Sequence, residues 1–312
     1  MPQGLDVSSH THHTCSPFPT LNILVDSLLI FLRNKRLFFS IFALTTFPLS
    51  LLLFSLSFSS HHLKSHVYHL ESVARLASTH FEARHVWKES RSDAVSLLRI
   101  RALFFLPCYA LSLLAAVAAV TSTFSACNGK RPSLHAAVSA FKMTWKRPLV
   151  TTICVYAILL AYVHVPLMLA AIFGRSPASR FLILLVGSGV EIYLMAVMSM
   201  GLVVSITEER YGSDAILVGS GLMAGRRVCG WVLSGLFVLM SGIIARKVED
   251  AMDGQDSWSV RKIAMEMWNK VGLMGLYGTV VLWSFVVTTV FYCDCRKRHV
   301  NRSESDTEMV IV

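Results

Sequence analysis

Six long apolar runs constrain this chain more than any other feature of its sequence. A helix needs roughly 20 apolar residues to cross about 30 Å of hydrocarbon. The runs cover residues 37–58, 102–124, 149–173, 181–206, 228–244 and 271–292. Together they contain one acidic residue, Glu191, and no lysine or arginine. Because backbone polar groups in lipid must be satisfied within their own segment, the runs predict an all-α integral membrane protein with six transmembrane helices.

Composition supports this class and divides the chain into three parts. Charged residues make up only 15% of the sequence, against about 25% in an average soluble domain. This deficit excludes a disordered protein and an ordinary water-soluble enzyme. We expect a disordered N-terminal tail over 1–20, a transmembrane domain over 21–292 and a C-terminal tail over 293–312.

The charges beside the first and last runs predict the orientation. Lysine and arginine close to span ends favour the cytoplasm. Arg33, Lys35 and Arg36 come directly before the first run, and a basic cluster follows the last one. Arg99 and Arg101, just before the second run, argue for the opposite orientation. We predict that both termini are cytoplasmic. An even number of spans requires that the two termini lie on the same side of the membrane.

A short amphipathic segment comes before the first, third and fifth runs. Apolar residues recur at helical spacing over 21–32, 134–145 and 216–224, and basic residues follow each segment. Gly219, Gly221 and Gly225 weaken the third copy as a helix. Such segments are typical of helices that lie flat in the headgroup layer. We call them elbow helices, and a duplication and a general enrichment of basic residues at span ends explain them equally well.

The basic residues at these junctions predict contact with the lipid bilayer, and in particular with anionic lipid headgroups. They lie at span ends and are not gathered on a soluble domain, so nucleic acid is not an expected partner. Partner membrane proteins are a further possibility. The predicted headgroup contacts are Arg33, Lys35, Arg36, Lys146, Arg147, Arg226, Arg227, Arg296, Lys297 and Arg298.

Glu191 and His164 are the candidate functional pair inside the membrane. They lie on consecutive spans, each ten residues from the loop 174–180, and hence about 15 Å deep at 1.5 Å per residue. We expect the two side chains to face each other. The pair predicts either a proton relay or substrate contact, or a structural interhelical hydrogen bond of about 0.6 kcal/mol.

Glycine recurs in the sixth run at Gly272, Gly275 and Gly278, and this spacing predicts close helix contact.

Other motifs are weaker. Cys293 and Cys295 beside basic residues are typical of S-palmitoylation sites, although free thiols fit equally well. The stretch 59–101, between the first two runs, is predicted to be an exterior loop holding a solvated amphipathic helix. A metal site there is the alternative, from His61, His62, His66, His69, His80 and His85.

No motif for catalysis is present. The chain has no phosphate-binding G-x-x-x-x-G-K-[ST] loop, no G-x-S-x-G elbow and no H-E-x-x-H. We therefore expect no catalytic residues, no cofactor and no bound metal.

Short motifs near the first span and after the fourth resemble a plant family of uncharacterised six-span membrane proteins. The matching residues are 24–27, Asn34, 37–38, 47–50, 208–212 and 215–227. The alternation of elbow and span is also similar to the membrane domain of some bacterial glycerophosphodiester phosphodiesterases, but no phosphodiesterase module is attached here. The resemblance implies a plant endomembrane or plasma-membrane setting and assigns no reaction.

Three functional hypotheses follow, and the third, a lipid-handling enzyme with an unrecognised site, is disfavoured because the spans contain no cluster of acids and histidines. The first is a non-enzymatic membrane-organising or adaptor protein that binds anionic lipid or partner helices. The alternative is a small-solute or proton-coupled transporter that uses Glu191 and His164.

Overall fold

A computed structural model describes residues 19–76, 80–174, 176–253 and 260–311 of the chain. Within these ranges the secondary structure is entirely helical, without a strand, which confirms the predicted class. Six of the described helical segments are long and apolar enough to cross a membrane. They are Lys35–Ser60, Arg91–Cys127, Lys146–Phe173, Pro177–Thr207, Arg227–Asp250 and Trp268–Asn301.

The described chain forms ten α-helices and one π-helical turn, Phe42–Thr46, which joins the second helix to the third. The α-helices are α1 (Pro19–Arg33), α2 (Lys35–Ile41), α3 (Phe47–Leu76), α4 (His80–Cys127), α5 (Leu134–Thr144), α6 (Lys146–Phe173), α7 (Pro177–Thr207), α8 (Gly212–Leu222), α9 (Arg227–Asp253) and α10 (Val260–Ile311).

The three predicted elbow helices are present as α1, α5 and α8. Each comes directly before a membrane span, and that span forms a hairpin with the span that follows it. The chain therefore consists of three units, each made of an elbow helix, a first span and a second span. Unit one contains α1–α4, unit two α5–α7 and unit three α8–α10.

The three units pack in a closed ring. Each elbow helix packs on the second span of the preceding unit, so that α5 contacts α4, α8 contacts α7, and α1 contacts α10. The first spans follow the same rule, since α6 contacts α4, α9 contacts α7, and α3 contacts α10. Unit one thus packs against unit three, and the arrangement has approximate threefold character.

The second spans form the centre of the ring. The helices α4, α7 and α10 contact one another, and each contributes two fully buried valines to the core. These are Val117, Val120, Val203, Val204, Val286 and Val287. The first spans lie outside them. The least covered is α6, where 6% of the most apolar window is buried, against 22–39% in the other spans.

Several helices are longer than the apolar runs that predicted them. Within the stretch 59–101 the described residues are helical, because α3 continues to Leu76 and α4 begins at His80. The last helix likewise runs to Ile311, so most of the predicted C-terminal tail is helical. Neither 59–101 nor 279–312 contains glycine or proline, and polar residues alone do not stop a helix. Of the predicted N-terminal tail, residues 1–18 lie outside the described ranges.

The π-helical turn ends two residues before Pro48. Proline has no backbone N–H, and its ring clashes with the carbonyl four residues earlier, here that of Leu44. Such i→i+5 turns occur as single insertions within α-helices. The first span therefore adapts to its proline over one turn and continues as α3.

Glycine allows α8 to cross α7 at very short range. A Cβ atom added to Gly219 would lie 2.8 Å from the backbone nitrogen of Gly201, and one added to Gly201 would lie 2.9 Å from Cα of Ile216. Gly201 is six residues from the end of α7, so the crossing lies about 9 Å below that end. The third elbow helix is therefore packed into the bundle, and Gly219, expected only to weaken it, makes the contact.

The glycine prediction for the sixth span is confirmed at one position of three. A Cβ on Gly278 would lie 3.1 Å from the ring of Phe42 in the π-helical turn, so the close contact is present there. Gly272 and Gly275 have nothing within 4 Å of such a Cβ, and the prediction is wrong for them. Of these three glycines, only Gly278 lies on the face of α10 that meets the first span.

Two alanine substitutions in α8 test the crossing. Both Gly219→Ala and Gly221→Ala gain about 1 kcal/mol of helix propensity. Gly219→Ala also forces the two backbones apart, which typically costs about 1–3 kcal/mol, whereas a Cβ at Gly221 meets nothing within 4 Å. We expect Gly219→Ala to unfold at a lower temperature than Gly221→Ala in detergent. Equal melting temperatures would show that the crossing is not as close as described.

Candidate functional site

One end of the bundle collects the starts of the first spans and the ends of the second spans. Two ion pairs join them there. In unit two, Nη2 of Arg147 at the start of α6 lies 3.2 Å from Oε1 of Glu209, just after α7. In unit three, Arg226, next to the start of α9, pairs with Asp294 of α10. Each pair therefore links the two spans of its own unit.

The pair in unit three is the more enclosed. The side chains of Arg226 and Asp294 are 17% and 24% exposed, compared with 37% and 89% for Arg147 and Glu209. Asp294 also lies 3.7 Å from the guanidinium of Arg298, one turn later on α10. Ion pairs shielded from water are screened less by salt, so the attraction between Arg226 and Asp294 depends less on ionic strength than that between Arg147 and Glu209.

Two further hydrogen bonds connect the end of α7 and the start of α8 to neighbouring spans. The Tyr292 hydroxyl donates to Oε1 of Glu208 at 2.6 Å, which ties α10 to the end of α7. The buried N–H of Gly212 donates to Oγ1 of Thr151 at 2.9 Å, which ties the start of α8 to α6. Gly212 has a φ of +64°, a conformation that favours glycine. This turn reverses the chain so that α8 can pack back on α7.

In the corresponding junction of unit one, none of the described acids pairs with the basic residues. Its second span, α4, ends at Cys127 and is followed by Asn128, so no carboxylate meets the start of the first span. Among the described residues, Arg33, Lys35 and Arg36 are exposed and make no ion pair. The three units are thus alike in fold and unlike in charge.

Of the ten predicted headgroup contacts, three take part in ion pairs, namely Arg147, Arg226 and Arg298. The other seven are exposed, and no ion pair to any of them occurs within the described part of the chain. We call these seven the basic face. Its members are Arg33, Lys35, Arg36, Lys146, Arg227, Arg296 and Lys297.

The structure does not bring Glu191 and His164 together. The Tyr162 hydroxyl donates to the carbonyl of Gly187 at 2.9 Å, and Pro166 also contacts Gly187, so these two residues define the face of α6 that meets α7. His164 is two residues, or about 200°, from each of them and is exposed. Glu191 is half-buried, and neither side chain has a hydrogen bond or ion pair within the described residues. The described residues therefore contain no hydrogen bond between the two side chains, which the predicted pair requires.

Both cysteines predicted for palmitoylation are buried in the described part of α10. Cys293 is 8% exposed and Cys295 is 4% exposed, and both belong to the hydrophobic core. An acyl chain on either sulfur would displace neighbouring helices. Burial therefore disfavours the predicted modification.

The predicted histidine site cannot be placed. His61, His62, His66, His69, His80 and His85 lie outside the residues whose side chains the structure describes. Elsewhere in the described chain, no group of three or more histidine, cysteine or acidic side chains is placed to hold a metal ion.

A small cavity lies between α7, α9 and α10. Its volume is about 20 Å³, and Ser199, Ser234 and Thr288 provide the polar part of its lining. About one water molecule fits in such a space. Glu191 is not among the lining residues, so this cavity does not connect to the predicted intramembrane site.

Sequence reasoning did not identify the acids at the elbow junctions. Glu208 and Glu209 come two and three residues after the fourth apolar run, and Asp294 lies between two predicted palmitoylation sites. Their position was the available signal, because an acid at the end of a second span lies at the same bundle end as the basic start of the first span. Thr151 gave no such signal, since its partner is a backbone N–H.

Comparison with known families accounts for nearly the whole chain. A family model described as a domain of unknown function, DUF8558, matches residues 15–307. The chain belongs to the DUF8558 family. The match covers nearly all residues of the three units of this DUF8558 protein. No curated protein and no solved structure matches it.

The enclosed ion pair in this DUF8558 protein can be tested with a matched surface pair. Asp294→Asn leaves Arg226 without a countercharge, and we expect a loss of about 2 kcal/mol in the free energy of unfolding. Asp214→Asn removes the partner of Arg210 from a pair that is 51% and 59% exposed, and such pairs contribute about 0–1 kcal/mol. Chemical unfolding in detergent measures both, and an equal loss from the two variants would contradict the expected difference.

Proposed function

We propose that this chain is a non-enzymatic membrane-organising or adaptor protein whose basic face binds anionic lipid headgroups. The observation that supports it most is the charge at the first junction. Arg147 and Arg226 are each neutralised by an acid of their own unit, whereas Arg33, Lys35 and Arg36 are not. Three exposed cations at the end of a membrane bundle are complementary to lipid phosphates.

The position of these cations suits a headgroup. They lie at the end of α1 and at the start of α2, and the nearby exposed residues Leu32 and Phe39 are apolar. A lipid bound there can place its acyl chains against the apolar side chains while its phosphate meets the cations. Each lysine or arginine near an anionic membrane surface contributes about 1 kcal/mol.

The remaining features of the proposal concern setting and chemistry. We propose that the basic face and both termini are on the cytoplasmic side, because anionic lipid is concentrated in the cytoplasmic leaflet. The plant endomembrane or plasma membrane is proposed from the resemblance alone. A non-enzymatic role is proposed because the sequence contains no catalytic motif that we recognise.

The transporter alternative depends on Glu191. In that hypothesis the carboxyl group is a proton or substrate site, and His164 was expected to serve it from the neighbouring span. His164 points away from α7, and the small cavity between α7, α9 and α10 does not include Glu191 among its lining residues. We favour the adaptor role because the exposed cations support it, whereas no observed geometry favours transport.

Removing the three cations tests the proposal. We expect the triple variant Arg33→Gln, Lys35→Gln, Arg36→Gln to weaken binding of the purified full chain to short-chain phosphatidylserine by up to about 100-fold, from about 1 kcal/mol per residue. Native mass spectrometry in neutral detergent measures the bound fraction. Phosphatidylcholine serves as the uncharged lipid and should bind equally to both proteins.

A second triple variant controls for net charge. Lys88, Arg99 and Arg101 are exposed at the opposite end of the bundle, and their replacement by glutamine removes the same charge. We expect this variant to keep most of its phosphatidylserine binding. Equal losses from both triple variants would show that the effect is one of overall charge, and the first junction would not be a headgroup site.

A further inference from the structure

His164 is an unusual feature of the surface of this bundle. Ionisable side chains in transmembrane segments almost always face the bundle interior or a water-filled cavity, because hydrocarbon offers them no hydrogen-bond partner. His164 lies near the middle of α6 and points almost directly away from α7. It is exposed and has no hydrogen bond or ion pair within the described residues. A single chain surrounded by lipid leaves this side chain unsatisfied.

The helix that carries His164 is also the least covered span. Only 6% of its most apolar window is buried. The side chains around His164 on the same face are all exposed, and the positions seven residues before and after it are alanine. They are Ala157, Leu160, Ala161, Leu167, Met168 and Ala171. Small residues at helical spacing permit close approach of a second helix, and a polar residue among them adds an interhelical hydrogen bond.

We propose that the outward face of α6 is the interface of a homodimer in which the His164 side chains of two copies hydrogen-bond to each other. The inference goes beyond the proposed lipid binding and does not depend on it. The occupant is a second copy of this chain because of the hydrogen-bonding capacity of histidine. A neutral imidazole has one donor nitrogen and one acceptor nitrogen, so the ring of one copy can donate an N–H···N hydrogen bond to the ring of the other.

Membrane geometry makes this pairing specific. Two copies in one bilayer have the same orientation, so a twofold axis between them runs along the membrane normal. The two α6 helices then pack parallel, and identical residues meet at the same depth. His164 therefore meets His164, and the flanking alanines Ala157 and Ala171 meet their own equivalents one heptad away on either side. A spacing of seven residues keeps the same side of each helix facing its partner.

The first test measures the dimer in lipid. Energy transfer between donor-labelled and acceptor-labelled full chains is followed in phosphatidylcholine vesicles as the protein-to-lipid ratio falls. We expect a dimer in the unchanged protein and an about 3- to 20-fold weaker dimer for His164→Leu, the range of single interhelical hydrogen bonds in membranes. His164→Asn keeps a donor and an acceptor and should restore most of the affinity. Val165→Leu, at an adjacent exposed position, should change nothing.

The second test locates the interface independently of affinity. The His164→Cys and Val165→Cys variants are oxidised in vesicles, and disulfide-linked dimers are compared with those of the unchanged protein, which has seven cysteines of its own. We expect additional cross-linking at position 164 and much less at 165, which points about 100° away around the helix. A chain that is monomeric at every dilution, a His164→Leu dimer as tight as the original, or equal cross-linking at both positions would each overturn the proposal.

Discussion

The absence of water inside a bilayer determines the architecture of this chain. Every backbone N–H and C=O group in hydrocarbon needs a partner within its own segment, so each apolar run becomes a helix. The same environment removes the hydrophobic effect as a force between helices, because lipid tails are as apolar as leucine. Close packing must replace it. The Gly201–Gly219 crossing and the contact of Gly187 with Pro166 are the clearest examples, since a Cβ at either place would separate the helices.

The ring of three units follows from that need for close packing. In each helical hairpin, the second span packs against its own first span on one side. The elbow helix of the next unit covers another side of the same second span. Closing the ring through α1 and α10 covers the last such side. The second spans become a central core as a result, and the first spans remain at the lipid boundary. Polar contacts such as that of Gly212 with Thr151 then fix the connections at one end.

The sequence predicted which segments are helices better than it predicted which way their side chains point. Six spans and three elbow helices follow from apolar length and spacing, and all are present. The depth of Glu191 and His164 follows from counting residues to one loop, but their direction depends on where α6 touches α7. That contact is set by Tyr162, Pro166 and Gly187, and nothing in one sequence shows that these residues meet. When a helix is apolar on all sides, no polar face indicates which of its side chains point towards neighbouring helices.

A closed core changes where function can lie. The second spans fill the centre of the ring with buried valines, and the ion pairs and exposed cations of the junctions lie at one end of the bundle. The three junctions share one backbone plan, so a difference in their charge is not required by the fold. Units two and three use an acid to hold their spans together, and unit one keeps its cations exposed. Because the three units are similar in fold, the lack of ion pairs to Arg33, Lys35 and Arg36 is a specific difference of unit one. This difference is stronger support for a binding role than the presence of basic residues alone.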